Sequence, residues 1–167
     1  GTTLKESIIY ILSTLRPKKI IIVSSAPQIR YPDCYGIDMS KMKEFVAFRA
    51  LVELLEEDGK SGLLDDVLKR CIEEENKPVH EMQNQVQSLY AHYTDEQISA
   101  KISQLVTPEN IAPEVQVLYQ SIEDLHKACP DHNGDWYFSG NYPTPGGMRV
   151  VNRAFINYMR NNDERAY

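Results

Sequence analysis

Several features that would quickly assign this sequence are missing from it. No apolar run approaches the length that spans a bilayer, and no stretch reads as a signal peptide. There is no Walker loop, no glycine-rich dinucleotide turn and no paired acidic motif, so the common nucleotide-binding signatures do not apply. Cysteine is scarce: Cys34, Cys71 and Cys129 are odd in number and widely spaced. That usage fits a reducing cytoplasm better than a disulfide framework. Cys129 and His132 have ligand-like spacing, but no second pair accompanies them, so no zinc site is expected. His80, His92 and His126 fall on expected helices without a serine or cysteine partner and read as surface residues. Basic residues are in the minority, and the net charge of −6 argues against a nucleic-acid or membrane partner. A local basic patch remains compatible with it.

What is present is an ordinary core-forming composition, 42% hydrophobic and 25% charged, enough at 167 residues for one domain with a small appendage. The organising stretch runs from Lys19 to Met39. Ile20 to Val23 is a short, unbroken, β-branched run, which predicts a strand buried on both faces of a parallel sheet. Ser24 and Ser25 give it a polar carboxyl end and Pro27 stops it. Ligands of open parallel sheets gather at that end. Arg30 to Met39 mixes proline, glycine, aromatic and charged residues, as functional loops do; an ordinary connection with packed aromatics is the plainer alternative.

Ahead of the strand, Leu4, Ile8, Ile11, Leu12 and Leu15 follow helical spacing up to Arg16-Pro17. Gly1-Thr2-Thr3 therefore sits where a loop enters a helix, a place suited to an anion. Simple N-capping by a threonine explains it equally well. Helix, turn and strand make half of a βαβ unit, which implies a strand before Gly1.

After the loop, Ser40 is positioned to cap a helix carrying Phe45 to Leu55, ended by Gly59. A second helix carries Leu63 to Ile72 and breaks at Asn76-Lys77-Pro78. Val79, Met82, Val86, Leu89, Tyr90 and Tyr93 predict a third, with Tyr90 and Tyr93 at a core edge or a subunit contact. Thr94 to Gln97 is a capping box opening a fourth, with Ile98, Ile102, Leu105 and Val106. The acidic runs Glu56 to Asp58 and Glu73 to Glu75 read as solvated surface. Val115 to Tyr119 predicts a second strand, and Ser121 caps a helix to Ala128. Asp135 to Phe138 predicts a short strand, Val150 to Met159 a closing helix, and Asn161 to Tyr167 a frayed tail.

Composition and spacing stop at an α/β domain with a helical insert, but several short motifs taken together reach further. Gly1-Thr2-Thr3 with its helix, the strand ending Ser24-Ser25-Ala26-Pro27, and Arg30-Tyr31-Pro32 through Tyr35-Gly36-Ile37-Asp38-Met39 resemble the glutamine phosphoribosylpyrophosphate amidotransferases, or amidophosphoribosyltransferases. The resemblance resumes at Val117 to Leu125 and at Phe138-Ser139-Gly140-Asn141-Tyr142-Pro143. It implies a C-terminal fragment with a partial phosphoribosyltransferase-type parallel sheet and a large all-helical insertion, divided as residues 1–49, 50–112 and 113–167.

By that resemblance the whole enzyme frees ammonia from glutamine in an N-terminal glutaminase domain and joins it to phosphoribosyl pyrophosphate. The product, phosphoribosylamine, begins purine synthesis. Magnesium is the implied cofactor, purine nucleotides the regulators and a homo-oligomer the implied assembly. Gly1, Thr2 and Thr3 would cradle the 5′-phosphate. Ser24 and Ser25 would lie near the reaction centre, and Arg30, Tyr31, Tyr35, Gly36, Ile37 and Asp38 would border the ammonia passage. The acidic part of the substrate loop would precede Gly1, so the fragment alone is expected to be inactive. Gly134 and Tyr137 stand where some relatives carry a Cys-x-x-Cys pair, so no iron–sulfur cluster is expected. The helical insertion is expected to serve assembly or regulation. The rival reading is a non-catalytic helical interaction module on an α/β platform.

Overall fold

The computed structural model describes residues 3–34, 39–131 and 134–166. A π-helical stretch, Leu4–Ile9, runs into α1 (Tyr10–Thr14), and β1 (Lys19–Ser24) follows. The chain then crosses through α2 (Val46–Glu57), α3 (Gly62–Glu74), α4 (Gln87–Tyr90) and α5 (Asp95–Val106) before β2 (Glu114–Tyr119). It closes with α6 (Ile122–Ala128), α7 (Trp136–Ser139) and α8 (Pro145–Met159). β1 and β2 pair in parallel, from Lys19 opposite Glu114 to Ser24 opposite Tyr119. The architecture is mixed α/β, a two-stranded parallel sheet with an all-helical connection, consistent with a partial phosphoribosyltransferase-type fold. Among the described residues no helix is long and apolar enough to cross a membrane.

The sheet departs from expectation in one respect. Ile20, Val115 and Val117 are buried on the face that meets the helices. The opposite face carries Ile21, Val23 and Leu118, which are 55%, 73% and 41% exposed. The strand was expected to be buried on both faces. The β-branched run is indeed apolar on both, but the helices here cover one of them. The opening helix adds to the bare apolar surface through Ile11 and Leu15.

The helices pack as an orthodox core. α2 buries Ala47, Phe48, Leu51 and Leu55 and packs on α5, while α3 packs on α8. Phe48 meets Phe155 and Tyr158 edge-on, with ring centroids 6.1 and 4.8 Å apart. α2 ends in a Schellman turn: Gly59 has φ +67°, Lys60 N–H donates to the Leu55 carbonyl and Gly59 N–H to that of Glu56. At its start Ser40 does not act as the cap. A 3-10 turn, Met42–Glu44, intervenes, and α2 begins after Phe45 without a side-chain cap. α2 also runs through position 49/50, where the insertion was expected to begin. The capping box and the Ser121 cap both form: Thr94 and Gln97 bond reciprocally, and Ser121 accepts the Asp124 amide. α5 also takes up one amide at the outer edge of the sheet, where Ser103 Oγ accepts the Val117 N–H at 2.8 Å.

The expected helix over 79–93 is broken. A 3-10 turn at Val79–Glu81 leads into extended chain, and helix resumes as α4. Side chains take the amides a helix would use. Gln83 N–H donates to Glu74 Oε2 at 2.9 Å, Gln85 N–H to Asn152 Oδ1 at 3.1 Å, and Val86 N–H to Asn84 Oδ1 at 3.1 Å. Asn152 returns a bond to the Gln83 carbonyl. Glu74, expected in solvent, is 2% exposed and also accepts from Lys77 Nζ and Gln85 Nε2.

Two further expectations fail near the C-terminus. Asp135 to Phe138 is not a strand. It forms α7, because the Asp135 carbonyl accepts the Phe138 and Ser139 amides and Gly140 closes the turn at φ +75°. A Cβ on Gly140 would come within 2.6 Å of Asn84 Nδ2 and 2.9 Å of the Tyr31 ring. Nor is the tail frayed up to residue 166. Asn162 N–H donates to the Asn157 carbonyl, Asn157 Nδ2 to that of Glu164, Asp163 pairs with Lys41 and Lys43, and Ala166 is buried.

Glu74 makes the central lock testable. Burial pushes its carboxyl up, but hydrogen bonds from Lys77, Gln83 and Gln85 and the Lys77 charge outweigh it and hold the group below its ordinary 4.5. Its contribution is therefore present above that value and is lost as the pH falls through the folded value. Glu74→Ala should cost about 2 kcal/mol, since it removes the acceptor of three part-buried hydrogen bonds. In urea unfolding, the native protein should lose stability below about pH 5 more steeply than Glu74→Gln. Parallel pH profiles for the two would contradict the assignment.

Candidate functional site

Both strands point their carboxyl ends at one cavity of about 380 Å³. Ser24, Ala26 and Pro27 line it from the end of β1, Tyr119 from the end of β2, and Glu44 to Ala47 from the start of α2. Parallel pairing dictates this convergence, and it is where such sheets place ligands. Ser24 Oγ donates to the Ala26 carbonyl at 2.9 Å and accepts the Ala26 amide at 3.3 Å, so its hydroxyl shapes the turn that forms the cavity floor. Ser25 is exposed beside it. Burial pushes the Tyr119 hydroxyl up, which keeps it a neutral donor.

Behind the cavity, the loop after Pro27 is clamped to the helical connection. Gln28 is buried and donates from Nε2 to the Asp95 carbonyl at 2.8 Å and to Ser99 Oγ at 2.7 Å. Its Oε1 accepts from Arg30 Nη2 at 2.8 Å and Nε at 3.2 Å. Arg30 pairs with Asp95 Oδ1 at 2.5 Å and lies over the Tyr90 ring, 5.1 Å from its centroid. Tyr90 donates in turn to the Arg30 carbonyl. The amides of Arg30 and Tyr31 both donate to the Tyr137 carbonyl, at 2.9 and 3.1 Å. Tyr31 is buried edge-on against Tyr90, and Tyr142 donates to the Pro32 carbonyl at 2.6 Å.

Burial drives the hydroxyls of Tyr31, Tyr90 and Tyr142 above their ordinary value, with Arg30 partly offsetting this at Tyr31 and Tyr90. They remain protonated hydrogen-bond donors at any working pH and offer no general base. Tyr93 is also pushed up, to about 12, by burial and by its bond to Asp58. Both Tyr90 and Tyr93 sit at the edge of the chain's own core.

The residues singled out in the sequence divide into four sets. Ser24 lines the cavity and Ser25 adjoins it. Arg30 and Tyr31 lie in the clamp behind it, with the Arg30 guanidinium engaged by protein partners. Gly1, Thr2, Tyr35, Gly36, Ile37 and Asp38 lie outside the described residues. Thr3 is helical, exposed and makes no side-chain cap bond, so the N-capping alternative is not realised there. Gln28, Asp95 and Tyr119 went unnoticed in the sequence. Gln28 meets Asp95 across 67 positions and Tyr119 joins Ser24 from the other strand, and no local spacing signals such contacts. Among the described residues no group of three or more His, Cys, Asp or Glu side chains could hold a metal ion. His126 Nε2 contacts Asp135 at 3.0 Å, which anchors α6 to the turn before α7.

Part of the chain is similar to three curated bacterial proteins named amidophosphoribosyltransferase. The protein from Pasteurella multocida is 35% identical over 85 residues, which is 48% of this chain and 17% of the relative. That from Haemophilus influenzae is 42% identical over 65 residues, 38% of this chain and 13% of the relative. That from Escherichia coli is 38% identical over 74 residues, 44% of this chain and 14% of the relative. The similarity thus spans about one-sixth or less of the length of these relatives and supports a partial amidophosphoribosyltransferase-like fragment. No family model and no solved structure matches the chain.

The clamp predicts a loss that charge alone does not repair. Arg30→Met should destabilise the protein by about 2–3 kcal/mol and expose the loop around Tyr31 to protease. Arg30→Lys should not restore it, because an ammonium cannot reproduce the forked contacts to Gln28 and Asp95. Full rescue by lysine would show that the guanidinium geometry is unimportant.

Proposed function

We propose that this chain is the C-terminal part of an amidophosphoribosyltransferase, acting in the first step of purine synthesis. The observation that carries the proposal is the bare apolar face of a two-stranded parallel sheet. Two strands do not make a stable sheet alone, and parallel sheets are normally covered on both faces. The exposed Ile21, Val23 and Leu118 therefore ask for cover. The named relatives support a longer polypeptide, of which the matched segment is a small fraction. The occupant of this face is the remainder of that same polypeptide.

In that setting the cavity at the strand ends is the region where the sugar is positioned. Ammonia nitrogen forms a bond to the anomeric carbon of phosphoribosyl pyrophosphate, the carbon–oxygen bond to pyrophosphate breaks, and pyrophosphate departs with the electron pair. Gly1, Thr2 and Thr3 hold the 5′-phosphate by hydrogen bonds to a charged acceptor. Ser24 and Ser25 lie beside the reacting carbon. Arg30 and Tyr31 fix the loop that walls off the passage from a glutaminase domain upstream, and a dry passage preserves ammonia as a nucleophile. Bound magnesium would supply neutralisation of the pyrophosphate charge. The described residues offer no cluster to bind it, and the proposal places its carboxylates ahead of Gly1. Purine nucleotides regulate the whole enzyme, and the protein works in the cytoplasm.

Pyrophosphate release from phosphoribosyl pyrophosphate and ammonium salts tests the reading. The 167-residue chain should be inactive and the longer polypeptide active. Replacing Thr2 and Thr3 by valine in the latter should raise the KM for the sugar phosphate at least about tenfold. Turnover by the chain alone, or an unchanged KM in the double variant, would overturn the assignment.

A further inference from the structure

A second cavity, of about 400 Å³, lies between the start of α8, the C-terminal tail and Cys34, and shares no lining residue with the first. Arg149, Arg153 and Arg165 line it together with Thr144, Gly146 and Gly147, and none of its described lining residues is a carboxylate. Three guanidinium groups thus converge on one cavity of a chain whose net charge is −6, and Glu75 pairs with one of them, Arg153. Arg149 and Arg153 are four apart on one helix, an arrangement that repels unless an anion lies between the side chains. Arg153 is braced through Nε by Glu75 at 2.5 Å, and a guanidinium with five donors retains its terminal nitrogens for another acceptor. Arg165 is delivered by the tail that Asn157, Lys41 and Lys43 tie down.

The backbone of the site is also shaped for close approach. A Cβ on Gly147 would collide with Tyr142 at 2.4 Å, so glycine there lets the chain pass over the ring. Gly146 faces open space, its nearest neighbour being Thr144 Oγ1 at 3.8 Å. Pro145 brings no N–H and Gly147 N–H caps back to Thr144, so the first turn adds the Gly146 amide and the positive end of its dipole.

We infer that this cavity binds the phosphate group of a small phosphorylated molecule. Planar guanidinium forks match phosphate oxygens in pairs, and the volume suits a metabolite. The inference holds whether or not the chain belongs to a longer enzyme.

Inorganic pyrophosphate and inorganic phosphate are the probes, titrated by calorimetry with the amide resonances of Gly146 and Gly147 followed by NMR. Saturable one-to-one binding should shift those two amides. Arg149→Glu, an exposed substitution, should weaken binding at least about tenfold. Gly146→Asp, which puts a carboxylate into the cavity, should do the same. Lys69→Glu, the same charge change at an exposed position on α3, should leave affinity within about twofold. Absence of saturable binding to the folded protein, shifts confined to other amides, or equal weakening by Lys69→Glu would overturn the inference.

Discussion

Two parallel strands cannot be joined by a turn, and the rest of the molecule follows from that constraint. Between the end of β1 and the start of β2 the chain must return to the opposite end of the sheet, and here the whole of α2 to α5 makes the return. Closing so long a connection costs chain entropy, recovered by packing α2 on α5 and α3 on α8 around Phe48, Leu51, Leu55 and Phe155. The same helices seal one face of the sheet, and Ser103 takes the Val117 amide at its outer edge. What the helices cannot do is cover the second face. The molecule is therefore well packed on one side and apolar and bare on the other.

The parts of this that could be read from the sequence are those with local causes. β1 is a β-branched run and β2 alternates valine with polar residues, the capping box at Thr94 and the N-cap at Ser121 bond within a single turn, and Gly59 ends α2 in a left-handed conformation. The parts that could not be read depend on partners distant in sequence. Periodicity from Val79 to Tyr93 is helical, yet Glu74 and Asn152 take the amides of Gln83 and Gln85 from other elements. Asp135 to Phe138 has aromatic strand-like composition, yet its turn is fixed by Gly140 against Asn84 and Tyr31. The acidic run at Glu73 to Glu75 conceals one buried carboxylate, because three identical residues on a helix face three directions.

The candidate site shows the same division. That ligands belong at the carboxyl end of β1 follows from strand polarity, and Ser24 is found there. The residues that hold the adjoining loop, Gln28, Asp95, Tyr90 and Tyr137, come from the loop itself, the connection and α7. The helical connection is thus mechanically continuous with the site through Arg30, even though no cavity-lining residue comes from α3, α4 or α5. A segment read as an insertion sets the position of the loop that carries Gln28, Arg30 and Tyr31.

The central claim, that the bare sheet face belongs against the remainder of a longer polypeptide, is most directly tested by carbene footprinting read residue by residue. In the 167-residue chain, Val23, Leu118 and Leu15 should be heavily labelled, and Ile20 and Val115 on the opposite face should not. In the longer polypeptide, labelling of Val23 and Leu118 should collapse to the level of Ile20. Equal labelling of Val23 and Leu118 in both forms would contradict the account.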